Sequence, residues 1–191
     1  MKPVNIIIAA ATLIIITGLL SGCTLVSKQE PAQKSVAAAN IELAAKAKKD
    51  VSIRLSADKQ GKEVTVKIVL DNPNEKPITS VQSWLSYAPE ALKGVKINVV
   101  DSPFELTAPY DNTFDSVNGL VMLGRSSGTP VTLKTINVAE VVFELEASTT
   151  TMVDFYDYRD DLSGHVSANM LVDGVPYNVL IAPASPALII Q

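Results

Sequence analysis

The chain has 191 residues, 47% of them hydrophobic, and carries 16 basic against 20 acidic side chains, a formal charge of −4. No basic run stands out to hold nucleic acid, for which a basic domain is expected. One histidine and one cysteine cannot supply the nitrogen and sulfur ligands of a usual zinc site, and a lone cysteine cannot form an intramolecular disulfide.

The chain opens on Lys2 and an uncharged, largely apolar run from Val4 to Leu20. Its length approaches the roughly 20 residues of a spanning helix, but it ends in Leu20-Ser21-Gly22-Cys23. An aliphatic residue and two small ones before a cysteine resemble the bacterial lipobox. Small side chains there let an extended backbone enter a peptidase site. The resemblance implies that residues 1–22 are a lipoprotein signal peptide and that Cys23 carries a covalent lipid, anchoring an extracytoplasmic chain to the cell membrane or cell surface. Two or three acyl chains give a durable anchor where one gives only marginal binding. Without residues 1–22 the chain has 15 basic and 20 acidic side chains, a charge of −5, so the lipid must do the anchoring.

Residues 23–50 are rich in Ala, Lys and Gln and lack aromatics, the composition of a flexible tether. At Val51 the texture changes. Val51, Ile53 and Leu55 alternate with Ser52 and Arg54, and after Asp58-Lys59-Gln60-Gly61 the alternation resumes at Val64, Val66, Ile68 and Leu70. Period-two patterning between turn formers predicts half-buried antiparallel strands. Further strands are expected at Ile78–Tyr87, Val95–Val100, Gly119–Gly124, Val131–Leu133, Ala139–Ala147, Met152–Tyr156, Ser167–Val172 and Val175–Ile181. Turns are expected at Asp71–Asn74, Ser126–Pro130 and Asp173-Gly174, and a short helical turn at Pro89–Leu92. Ala187–Ile190 reads either as a last strand or as a frayed end. Many short, evenly spaced strands predict one β-sandwich domain over residues 51–191.

Candidate chemistry is sparse. No nucleophile elbow, phosphate loop or metalloprotease motif occurs, and nothing positions the two carboxylates of a glycosidase, so the chain is expected not to be an enzyme. His165, after Leu162-Ser163-Gly164, is expected to be a solvated loop residue. Asp154, Asp157, Asp160 and Asp161 lie in one segment and offer the oxygen ligands that Ca2+ prefers. Their spacing is not that of an EF-hand, and a solvated acidic loop is the other reading. Tyr156 and Tyr158 make the same segment a candidate recognition edge. Tyr110 and Phe114 do so for the middle loop Pro109–Asp115. In Ile78–Tyr87, Val81, Ser83, Leu85 and Tyr87 share one face, and Gln82, Trp84 and Ser86 the other. Trp84 is expected to pack in the core against a second sheet. Facing solvent, it would instead be a platform for sugar stacking.

Three stretches together are similar to the cohesin domain: Gly61–Val66 running on to Asp71-Asn72; Ile78–Leu92; and Gly119–Gly124 with Ser127-Gly128 and Val138–Leu145. Ala88 stands where that family usually has aspartate before the proline. The resemblance implies a jelly-roll β-sandwich of about nine strands, related to some carbohydrate-binding modules. It also implies non-catalytic binding of a protein partner, a dockerin (a small calcium-loaded helical domain), or, on the same fold, of a polysaccharide.

Overall fold

In the computed structural model, residues 47–183 and 188–190 are described. The signal sequence, Cys23 and nearly all of the tether lie outside them. The described residues form strands and turns without a helix. One layer is a four-stranded antiparallel sheet of β1 (Ser52–Gln60), β2 (Glu63–Asp71), β10 (Thr135–Leu145) and β5 (Leu92–Asn98), in the order β1-β2-β10-β5. The β1–β2 hairpin turns in two residues. Gly61 takes φ +64° there, as the primed turns that match strand twist require.

The opposite layer consists of two five-stranded sheets that continue one another. The first is β13 (Val175–Asn178), β12 (Val166–Val172), β3 (Ile78–Ser83), β9 (Gly124–Val131) and β6 (Leu106–Thr107). The second is β14 (Leu188–Ile190), β11 (Thr151–Phe155), β4 (Leu85–Tyr87), β8 (Leu120–Met122) and β7 (Thr113–Asp115). Each strand of one sheet lines up with its counterpart in the other, so the layer holds five runs. With β1, β2, β5 and β10 the fourteen strands make nine, the jelly-roll sandwich expected from the sequence.

The core lies between the layers, filled by Val64, Val66, Ile68 and Leu70 from β2, Val141 and Phe143 from β10, and Val81, Leu85 and Tyr87 from β3 and β4. Period two puts these residues inward because alternate side chains leave a strand on opposite faces. Phe143 is fully buried, its ring 5.1 Å from Tyr87 and 6.0 Å from Phe114. Its cross-strand partner is Gly94. A Cβ there would stand 2.2 Å from Cδ1 of Phe114, so the Phe114 ring occupies the space a side chain at residue 94 would need.

Several expectations change. Phe114, read as a recognition residue in a loop, lies in β7 and packs on the core. The loop reading of that stretch misses β6 and β7, two and three residues long. Pro89–Leu92 makes the single helical turn expected there, the amides of Ala91 and Leu92 both donating to the Ala88 carbonyl. The backbone closes this corner without an aspartate at residue 88. Ser126–Pro130, read as a turn, falls within β9, but Ile78 pairs with Val131 and Ser80 with Ser126. Ser127–Pro130 therefore bulge out of the ladder, which is where a proline is tolerated in a sheet. Leu188–Ile190 pairs with β11 as a true strand.

Candidate functional site

The two layers present very different outer faces. On the four-stranded sheet the outward positions include Arg54, Glu63, Lys67, Asp71, Lys93, Lys96, Glu140 and Glu144. Arg54 pairs with Asp71 at 2.8 Å and Lys67 with Glu140 at 3.3 Å. This is a solvated ladder of opposite charges. On the five-run layer the outward strand positions are mainly Ser80, Gln82, Trp84, Ser86, Leu120, Met122, Gly124, Ser126, Met152, Asp154, Ser167, Asn169 and Leu171. None is lysine or arginine. Charge depletion with aromatic and methionine enrichment is the composition of a protein-docking patch.

Trp84 sits at the centre of this face, a correction to the expectation that it packs between the sheets. It is half-buried, at the break where β3 passes into β4. Its backbone amide donates to the His165 carbonyl at 3.0 Å, and its backbone carbonyl accepts from the Tyr156 amide at 2.9 Å. Tyr156 and His165 bracket the loop between β11 and β12, so these two bonds seat both rings on the indole. Tyr156 stacks at 6.3 Å and 20°, and His165 lies at 4.0 Å and 33°. The indole is thus not a bare platform for a sugar ring. Nor is His165 the freely solvated residue expected: it is half-buried, with Nδ1 2.8 Å from Oδ2 of Asp157.

The acidic segment resolves into separate tasks. Asp157 holds Arg159 (Nε to Oδ1, 2.9 Å) as well as His165, and the Arg159 hydrogen bond, then that of His165, keep its carboxyl below the usual range. Asp160 accepts from Lys49, which lowers its pKa, and from the Tyr158 hydroxyl at 3.2 Å. Asp161 accepts from the Ser163 hydroxyl and amide, which again favour its charged form. Asp154 accepts from the Phe155 amide. The four carboxylates do not converge, and among the described residues no three His, Cys, Asp or Glu groups are placed to share a metal ion. Tyr158 packs on the core, where burial raises its pKa, whereas Tyr156 stays exposed on the face. Tyr110 is 94% exposed at the tip of the neighbouring loop.

That loop forms one lip of the face. The Ala108 amide donates to the Gly124 carbonyl and the Asn112 amide to the Met122 carbonyl. Tyr110 and Asn112 take left-handed φ values of 68° and 62°, which turn Asp111 back over β9. Its carboxylate lies so close to Gly124 that a Cβ there would come within 2.0 Å of Oδ2. Below the lip is a cavity of about 200 Å3 whose lining includes Ser80, Gln82, Asp111, Gly124, Arg125 and Asn169. The buried Trp84 indole N–H makes no well-formed hydrogen bond and has Asp111 as a weak acceptor. Neither Asp111 nor this cavity was picked out from the sequence. The contributing residues are up to 89 positions apart, and a pairing such as Asn169 with Ser80 leaves no local signature.

Burial raises the Asp111 pKa, offset only in part by Trp84 and then His165. The folded chain therefore holds a proton at Asp111 more tightly than the unfolded chain does. Its contribution to stability falls as pH rises through its titration range. Asp111→Asn is expected to leave the Tm unchanged or higher near neutral pH and to lose any such gain at acid pH, as thermal unfolding at the two pH values would show. A fall in Tm confined to neutral pH would contradict it.

The chain matches the cohesin domain family over residues 50–174. Among solved structures it is similar to a type II cohesin domain from the cellulosome of Acetivibrio cellulolyticus, with 17% identity over 73% of this chain and 94% of that one, TM-score 0.56. It is also similar to a chain of the type I cohesin–dockerin complex Coh-OlpA-Doc918 from Clostridium thermocellum, with 13% identity over 68% and 92%, TM-score 0.51. A third such structure is the seventh ScaB type I cohesin from Pseudobacteroides cellulosolvens, with 15% identity over 71% and 94%, TM-score 0.51. At these identities the likeness is one of fold. The search of curated proteins found no match.

Proposed function

We propose that this chain, which belongs to the cohesin family, is a non-catalytic receptor: it docks a dockerin-type module on the sheet face that lacks lysine and arginine and is held at a membrane surface by lipid on Cys23. The observation that carries the docking reading is the contrast between the two outer faces. One is a ladder of paired charges. The other is a field of small polar side chains around Trp84 and Tyr156, with Met152 and Leu171 each about half exposed. A partner covering the second face would desolvate few charges, and rigid aromatic anchors concentrate binding energy near the centre of such patches. The fold relative from Clostridium thermocellum was solved with a dockerin.

Calorimetric titration of the purified chain with calcium-loaded dockerin domains of type I and type II tests this reading. Saturable one-to-one binding by either is the expected result, and no heat from any member of the set would count against it. The anchoring reading rests on Leu20-Ser21-Gly22-Cys23. In a bacterial host, labelled palmitate is expected to enter the native chain and the membrane fraction to retain it. Cys23→Ser is expected to abolish both, so labelling that persists in that variant would remove the lipid from the proposal.

A further inference from the structure

The cavity beneath the 108–112 lip holds polar groups whose hydrogen-bonding capacity the folded chain leaves unused. The Asn169 amide nitrogen is engaged, donating to Oγ of Ser80 and of Ser167 at 3.2 Å each. Its Oδ1, buried, has no donor. Across the cavity the Asp111 carboxylate is half-buried, and among the described residues no lysine or arginine pairs with it. Asp115 and Asp154 also point outward on this layer, whose outward strand positions lack lysine and arginine. A carboxylate withdrawn from water with only the Trp84 indole and His165 to favour its charge is a cost to the folded state, and so is a buried acceptor without a donor. Costs of this kind persist where a ligand supplies the missing group.

We infer that this cavity seats a cationic side chain, lysine or arginine, contributed by the protein that docks on the face. An ammonium offers three donors and a guanidinium five. Either can bond the Asp111 carboxylate and the Asn169 carbonyl oxygen together while supplying a positive charge that the cavity's own Arg125 does not, because its guanidinium is turned onto Thr107 and the Phe104 carbonyl. The cavity, about 200 Å3, has room for one such side chain. Gly124 keeps its floor open, since any larger residue would displace Asp111. The raised Asp111 pKa agrees with a carboxylate awaiting a cation, because a bound ammonium would favour its charged form. The inference deepens the docking reading and rests on it.

The test uses Nα-acetyl-lysine amide and its uncharged isostere Nα-acetyl-norleucine amide as probes, each titrated into the purified chain while amide NMR shifts are followed. The lysine probe is expected to move the signals of Asp111, Gly124 and Asn169 toward saturation, and the norleucine probe is not. Asp111→Asn, which keeps the side-chain shape, is expected to abolish the response. It should also weaken dockerin binding by roughly tenfold or more, with a reduced dependence on salt. Equal shifts from both probes, or none from the lysine probe up to its solubility limit, would overturn the cationic seat. If dockerin binding is insensitive to a substitution on the face but outside the cavity, such as Met152→Arg, the docking reading itself fails. If binding responds to Met152→Arg while the lysine probe moves nothing, only the cationic seat falls.

Discussion

Replacing Phe143 with alanine is expected to lower the free energy of unfolding by about 3–5 kcal/mol, the range for a fully buried phenylalanine. The cost should lie toward the upper end because the site is poorly able to collapse. Phe143 comes from β10, Tyr87 from the opposite layer, and Phe114 reaches over Gly94 from β7. Neither strand can close the gap without breaking its ladder. Two aromatic contacts, each worth roughly 0.5–1.5 kcal/mol beyond area, disappear with the ring. Urea unfolding should show a lower midpoint with an unchanged slope. A loss under about 1 kcal/mol, well below the usual range, would mean that the three-ring cluster is not the keystone of this end of the core.

Gln82→Arg is expected to weaken dockerin binding by about 2–4 kcal/mol, roughly 30- to 1,000-fold, while leaving the fold intact. Gln82 is flanked by Ser167 on β12 and Gly124 on β9, near the middle of the face, and its side chain is half-buried. A guanidinium there must either lose water under the partner or hold the partner off. It would also compete for Asp111. In the free chain it can lie along the surface, so the Tm should change little. Lys96→Ser on the opposite layer is the matched control and should bind as the native chain does. Equal binding by both variants would move the docking site elsewhere.

Much of the fold is legible in the sequence because the sandwich writes itself in period two. Val64, Val66, Ile68 and Leu70 face the core in register with Ile53 and Val141, as their alternation says. The same alternation assigns Trp84 to the face opposite Val81, Leu85 and Tyr87. The expectation of a core tryptophan set a general tendency of the residue type above the pattern of its own strand, and the pattern prevailed. Short strands escape this reading for a physical reason: Leu106–Thr107 and Thr113–Asp115 are too brief to show a period. The Ser126–Pro130 stretch escapes because a bulge carries turn-like composition inside a strand.

The site was legible only in part. Tyr156 was foreseen as a surface aromatic, but its partner in the stack is 72 residues earlier. The closure of the β11–β12 loop on Trp84 depends on backbone bonds that any side chain could make. Asp111 looked like one acid among several. What sets it apart is the glycine beneath it and, among the described residues, the lack of a lysine or arginine pairing with it, and both are properties of the assembled sheet.

The junction at Val51 bears on how the domain would carry a pulling force. Val51 bridges Leu180 in parallel: the Asp50 and Val51 amides donate to the Val179 carbonyl, and the Ile181 amide donates to the Val51 carbonyl. A tension entering through residue 50 would run along the axis of these bonds' strands and strain them together in shear. A hairpin pulled at its open end would surrender its bonds singly. Under the proposed anchoring at Cys23, a bound partner would load the domain in this way, at the seam where residues 50–51 are clasped by residues 179–181.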